Sequence, residues 1–207
     1  MAKATLAHKA HLSKDKKLAK LVDHITPRAI KKHTNICLRL CASIMSQQLS
    51  TKVAEIIYKR FLQLYNGTET TPEQILDTPF EKLRSIGLSN AKVSYVQNVA
   101  RFVLEHKLDD KQLYKMSNEE IIETLTQIKG VGQWTVEMLL MFTLGREDVF
   151  AVDDLGIQQG MCALYKIDAS NKKAMKEKML KISTKWSPYR THACLYLWDH
   201  KDTVKKK

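Results

Sequence analysis

Between Leu125 and Val136 an apolar helix end, a Gly-x-Gly turn and the start of a second helix follow one another: Leu125-Thr126-Gln127-Ile128-Lys129-Gly130-Val131-Gly132-Gln133-Trp134-Thr135-Val136. No other stretch constrains the fold as strongly. Two glycines let the chain turn tightly and bring main-chain N–H groups close to an anion, and the second helix points its positive end the same way. The segment lacks the Gly-x-x-x-x-Gly-Lys spacing of a nucleotide-triphosphate loop, and no strand precedes it. A phosphate site made of backbone amides, in a chain of formal charge +12, points to nucleic acid.

The rest of the chain reads as helix. Seven glycines and four prolines in 207 residues are few for a β-rich protein, while 44% apolar residues are ample for a core. Leu18, Leu21, Val22 and Ile25 keep helical spacing. Asn35 to Ile44 reads as a mostly buried helix, and Val53, Ile56, Ile57, Phe61, Leu62 and Leu64 resume the apolar pattern after Ser46-Gln47-Gln48-Leu49-Ser50. Thr71-Pro72 and Thr78-Pro79 read as helix starts with a capping Thr and a Pro at the first position. Asn90 to His106 is a long helix, and Ser117-Asn118-Glu119-Glu120 is a capping box opening the helix that leads into the hairpin. Further helices are expected from Trp134 to Leu144, from Asp154 through Leu164, from Asn171 to Thr184 and from Pro188 to Trp198. The expected fold is all-α: two helical lobes flanking a cleft, with a helix–hairpin–helix motif. One lobe is central, about residues 33–116; the other joins the hairpin and chain ends, about 117–200 with 1–32.

The positive charge is uneven. Residues 1–32 hold nine Lys and Arg against Asp15 and Asp23, a balance of +7, and residues 166–207 hold twelve against four acids, a balance of +8. Charged ends are commonly solvated tails, and Lys205-Lys206-Lys207 reads as one. Brought to one face, the two ends would form the basic wall of a nucleic-acid groove. No apolar run approaches the ~18 residues of a membrane span, and the basic N-terminus has no apolar signal core. Cys37, Cys41, Cys162 and Cys194 show no Cys-x-x-Cys spacing and read as reduced thiols without a metal.

After the hairpin and its second helix comes Val149-Phe150-Ala151-Val152-Asp153-Asp154-Leu155-Gly156. A carboxylate is a poor choice for holding phosphate, since like charges repel, so an acid beside an anion-binding turn calls for a reason. One is that Asp153 or Asp154 caps the next helix, which short acidic residues do well. The other is chemistry at a held nucleic acid. The two are compatible.

These segments resemble the helix–hairpin–helix superfamily of DNA glycosylases, and within it the alkyladenine branch, 3-methyladenine DNA glycosylase II. The resemblance rests on Ile128 to Thr135, on Val152 to Gly156, on Ser46 to Ser50, on Gly87-Leu88-Ser89 with Lys92, and on Trp186-Ser187-Pro188-Tyr189-Arg190 leading to Leu197-Trp198. It spans about residues 15–200. It implies a catalytic aspartate at Asp154, and a wedge at Gln48 filling the gap left by an extruded base. It also implies a phosphate-binding hairpin in which Gly130, Val131 and Gly132 offer amides and Lys129 and Thr135 add side-chain contacts. A monovalent cation on hairpin carbonyls is a further family feature; no other cofactor and no metal are expected. The partner implied is duplex DNA bearing alkylated bases, bound by a monomer, in the cytoplasm of a prokaryote or the nucleus of a eukaryote, with no membrane.

There are departures. Relatives that cleave the strand carry a lysine where this chain has Trp134, so no Schiff base is expected. Those with an iron–sulfur cluster carry four cysteines near the C-terminus, a spacing Cys162 and Cys194 cannot supply. Ala151 stands where the family has Pro, and Lys129 replaces the Pro before the hairpin.

The implied reaction suits these residues. Methylation at N3 or N7 makes a purine cationic and a good leaving group, so an enzyme must mainly stabilise the cationic sugar. An ionised carboxylate does this and can orient water. The base must leave the stack, and an aromatic face favours a cation. Trp134 is the candidate base-pocket wall, with a core role as its alternative; for Trp198 and Tyr58 the core reading leads. The rival functions are a non-catalytic helix–hairpin–helix DNA-binding module and a same-fold glycosylase for oxidised or mismatched bases.

Overall fold

The computed structural model describes residues 2–26 and 29–204, and only the main chain of residues 2–6, 51 and 201–204. Among the described residues there are thirteen α-helices, one 3-10 turn and no strand, as the all-α expectation requires. In order, α1 (Ala2–Leu12) and α2 (Lys16–Val22) precede α3 (Ile36–Ser46), α4 (Thr51–Gln63), α5 (Pro72–Asp77), α6 (Phe80–Ser85), α7 (Asn90–Glu105), α8 (Asp110–Lys115), α9 (Asn118–Leu125) and α10 (Gln133–Phe142). Then come α11 (Leu155–Tyr165), α12 (Lys172–Ser183), the 3-10 turn (Thr184–Trp186) and α13 (Arg190–Val204).

The chain divides into a terminal unit, Met1–Ile30 with Gly145–Lys207, and a central unit, Lys31–Leu144. This corrects the expected boundary near residue 116: the hairpin belongs with the central helices rather than with the chain ends. The cause is apolar packing, since α10 lays Val136, Leu139 and Leu140, all 2% exposed or less, into the core it shares with α3.

The central unit is built around α3. Ile36, Leu38, Leu40, Cys41, Ile44 and Met45 are buried almost completely, so this helix is apolar nearly all round. Each such large side chain contributes roughly 1.5–3 kcal/mol on burial. α7 covers α3 with Val93, Val96, Val99 and Ala100. At the N-terminus of α3 the carboxylate of Asp110 accepts the amides of Asn35 (2.7 Å) and Ile36 (3.0 Å), satisfying donors that a helix start leaves over.

Two local expectations are revised here. Thr78 closes α5 rather than opening α6: its hydroxyl donates to Gln74 O at 2.7 Å, and Pro79 takes the N-cap position without a side-chain bond. On α4, Ile57 and Phe61 are buried, but Val53 and Ile56 are 42% and 43% exposed.

In the terminal unit α11 packs against α13, and α2 packs on both. Asp15 caps α2 through its Oδ1, while its Oδ2 accepts the Tyr165 hydroxyl (2.8 Å) and the Trp186 indole N–H (3.2 Å). One short carboxylate thus ties the N-terminal segment to the end of α11. The start of α13 is held by Asp148, whose Oδ1 accepts Arg190 Nε at 2.7 Å and whose Oδ2 accepts the Ser187 hydroxyl at 2.8 Å.

Candidate functional site

Residues singled out from the sequence form two constellations, one in each unit. In the central unit, α9 ends at Leu125 and the chain turns through Gly130, whose φ of +104° is open to glycine alone at low strain. A Cβ at Gly130 would also lie 2.1 Å from Tyr95 Cγ. Gly132 is needed for another reason. Its φ of −95° suits any residue, and a Cβ there would meet nothing within 4 Å. As N-cap of α10 with no side chain, it leaves the helix's positive end bare.

The amides at this turn are not equivalent. Val131 N–H donates to Ile128 O at 2.9 Å, so the expected Val131 contribution to a phosphate site is corrected: this amide closes the turn. Among the described residues, the amides of Gly130 and Gly132 donate to no other group of the chain, and Gln133 stands at the head of α10, where helical amides lack intrahelical acceptors. Thr135 is corrected too. It is 2% exposed and its hydroxyl accepts Gln47 Nε2 at 3.1 Å, so its side chain braces the hairpin from inside. Lys129 is exposed, and Trp134 is half-buried.

Gln48 stands in the loop between α3 and α4, exposed, with a φ of +58° that non-glycine residues seldom adopt. Such a conformation persists only where surrounding contacts enforce it. Gln47, one residue earlier, supplies some of them, because its side chain reaches Thr135 and, at 3.5 Å, Gly130 O. Beyond Gln48 the surface turns apolar: Leu49, Val53 and Ile56 are 37% to 43% exposed. The helical spacing of Val53 and Ile56 pointed to core, and a signal to the contrary was their position directly after the polar tip.

In the terminal unit, Asp154 is the N-cap of α11, its Oδ1 accepting Ile157 N at 2.9 Å. The cap reading of this residue is therefore realised. The same oxygen also accepts the indole N–H of Trp198 at 2.8 Å, a contact between side chains 44 positions apart that the sequence did not indicate. Asp154 remains half-buried rather than sealed off. Asp153 points elsewhere and pairs with Lys176. The return loop is stiffened without the family's proline: Ala151 is fully buried, its carbonyl accepts Asp154 N at 3.1 Å, and Gln158 Nε2 donates to Val152 O at 2.9 Å. Gly156 is required by packing, since a Cβ would fall 2.8 Å from Trp198 Cδ1 and 3.1 Å from Asp154 Oδ1.

Charge separates the units. The terminal unit has twenty Lys and Arg against ten Asp and Glu, a balance of +10, and the central unit fourteen against twelve, +2. Asp154 is thus an acid in a strongly basic setting. The cysteines are free thiols, with Cys41 and Cys194 buried, and among the described residues no group of three or more His, Cys, Asp or Glu could hold a metal ion. No helix among them is long and apolar enough to cross a membrane.

Comparison with known proteins agrees with this geometry. The family model described as HhH-GPD superfamily base excision DNA repair protein matches residues 41–185. A DNA-3-methyladenine glycosylase 1 of Schizosaccharomyces pombe is 40% identical over 185 residues, covering 88% of this chain and 80% of its own. The solved structure of a 3-methyladenine DNA glycosylase from that yeast, in complex with abasic DNA, superposes with a TM-score of 0.82 at 37% identity over 95% of this chain and 97% of the other. A DNA-3-methyladenine glycosidase from Bacillus halodurans gives the same TM-score and identity over 96% and 90%. The chain belongs to the HhH-GPD superfamily of base excision DNA repair proteins.

Proposed function

We propose that this protein is a DNA-3-methyladenine glycosylase of type II: it hydrolyses the N-glycosidic bond of alkylated, cationic purines in duplex DNA and leaves an abasic site without cutting the strand. The observation that carries this reading is the Asp154 carboxylate, seated at the N-terminus of α11 and gripped by Ile157 N–H and the Trp198 indole. Two donors on one oxygen fix the rotamer of the acid, so its charge is already in place when positive charge develops on the sugar. Preorganised charge of this kind is worth far more than a carboxylate that must reorient. The names of the relatives support the substrate class.

The remaining roles follow from chemistry. Gly130, Gly132 and Gln133 present amides to one phosphate, and exposed Lys129 adds charge; Val131 and Thr135 shape the turn from within. A monovalent cation would be held by main-chain carbonyl oxygens of residues 126–131, neutral hard donors suited to such an ion, and would add positive charge beside the phosphate. Gln48 fills the space the base vacates, and Trp134 offers an aromatic face to the cationic base. An indole is no nucleophile, so Trp134 supports hydrolysis alone, without a Schiff base. The protein is proposed to act as a monomer on duplex DNA.

The test is to incubate the purified protein with methylated duplex DNA, with and without borohydride, and to measure released bases, strand breaks and trapped covalent complexes. Free 3-methyladenine with neither breaks nor trapped complex is expected. A borohydride-trapped complex would overturn the monofunctional reading, and no released base would leave only a DNA-binding module.

A further inference from the structure

The long helix α7 carries a row of polar side chains at positions 92, 95, 98 and 101, each three residues from the next and so neighbours along a ridge that winds round the helix. The first three touch an element that the proposed function uses, and Arg101 supports the third. Lys92 Nζ donates to the carbonyls of Met45 (2.9 Å) and Gln47 (2.7 Å), at the end of α3. Those oxygens belong to the last turn, where helical carbonyls lack intrahelical partners and the dipole favours a cation. The Tyr95 ring lies directly beneath Gly130, close enough to exclude any Cβ. Asn98 Nδ2 donates to Lys129 O at 3.1 Å, and Arg101 Nη1 in turn fixes Asn98 through its Oδ1 at 3.2 Å. The circuit closes through Gln47, held by Lys92 at its carbonyl and bonded by its own side chain to Thr135.

From this geometry we infer that α7 is a positioning rail: Lys92 sets the loop bearing Gln48, while Tyr95 and Asn98 set the hairpin, so that wedge and phosphate anchor stand at a fixed spacing. None of these residues touches DNA in the scheme, and none is a catalytic residue. The inference rests on the reading of Gln48 as the wedge and of the hairpin as the phosphate anchor. Physically, extrusion of a paired base must be met by a filler at the right height at the moment the stack opens. A loop free to sag by an ångström would leave the gap open and let the base return. The cost of holding Gln48 at positive φ and of partly desolvating an ammonium, which pulls the Lys92 pKa below its usual value, is explained if the loop must not yield.

A rail for extrusion and a mere stabiliser of the fold make different predictions. Lys92→Met keeps the aliphatic stem and removes the donors, and Gln47→Ala cuts the link to the hairpin. Both are to be measured by single-turnover release of 3-methyladenine from two substrates, a fully paired duplex and the same methylated strand left single-stranded, where little unstacking is needed. The expected result is a rate lowered about tenfold on the paired duplex, the scale of one lost charge-assisted hydrogen bond, and by less than about threefold on the single strand. Equal losses on both substrates, or none on either, would overturn the inference. Should Lys92→Met fail to fold, Gln47→Ala, altered at a half-exposed position, carries the test. Gln48→Ala is run in parallel. If it shows the duplex-selective loss while Lys92→Met and Gln47→Ala do not, the rail fails while the wedge stands; if it does not, both fall.

Discussion

Trp198 and Ile157 donate to the same oxygen of Asp154, at 2.8 and 2.9 Å. The acid is consequently both a structural cap and a held charge, and a substitution can be chosen that separates the two. Asn caps helices about as well as Asp and keeps an oxygen for the indole. Asp154→Asn should therefore leave the melting temperature within a few degrees of wild type and keep affinity for abasic duplex. Base release should fall by at least about a hundredfold, as when a preorganised electrostatic group is removed. Release within threefold of the wild-type rate would show that Asp154 is only a cap.

Gly156 tests the clamp from the other side. In an open helix Gly→Ala is stabilising by about 0.8–1 kcal/mol. Here the new methyl would press on the Trp198 indole at 2.8 Å, and a ring cannot step aside like the end of a flexible chain. Gly156→Ala is expected to lower both melting temperature and release rate. Trp198→Phe, which removes the donor and keeps a ring, should lower the rate about tenfold or more with a smaller change in stability. A stabilised, fully active Gly156→Ala protein would contradict the packing described.

A pH dependence of stability follows from two stacked imidazoles in the terminal unit. His8 and His192 lie with ring centroids 3.9 Å apart and nearly parallel, both buried, against Tyr189, Tyr196 and Glu147. Burial, and then the neighbouring His8, lower the His192 pKa to about 4, against the opposing pull of Glu147. The unfolded chain takes up this proton near pH 6.5 and the folded one only near 4. Stability is thus full above about pH 6.5 and falls as the pH is lowered towards 4. Thermal melts at pH 7.5 and 5 should show this, and His192→Phe should flatten the slope. An unchanged slope in that variant would place the acid sensitivity elsewhere.

Binding to duplex DNA should weaken steeply with salt, because phosphates neutralised by Lys and Arg release counterions. Lys129→Ala, at an exposed side chain, is expected to reduce the slope of log K against log salt by about 1 with similar effect on all sequences. A flat titration would argue against a duplex backbone as ligand.

Much of the architecture was legible locally. Helix starts were read at Asn35, Ser117, Asp154 and Asn171, with Ser117 and Asp154 as caps, and in the structure all four are N-caps. The same kind of reading misjudged Thr78-Pro79 and the outer face of α4, where a cap signal and an apolar period were each compatible with two placements. It also put the hairpin with the chain ends, because sequence adjacency to Asp154 says nothing about which core α10 joins.

What the residues alone determined about this protein is what a few neighbouring positions can encode: the helical periods, the caps, the Gly-x-Gly turn, the absent lysine at position 134 and the acid at 154. Only the tertiary structure decided how these are held. Lys92 meets Met45 across 47 positions, Gln47 meets Thr135 across 88, and Trp198 meets Asp154 across 44. No periodicity links such pairs. They exist because packing of α7 and α10 on α3, and of α13 on α11, brings donors within reach of acceptors far along the chain, among them the Met45 carbonyl that the end of α3 leaves without a helical partner.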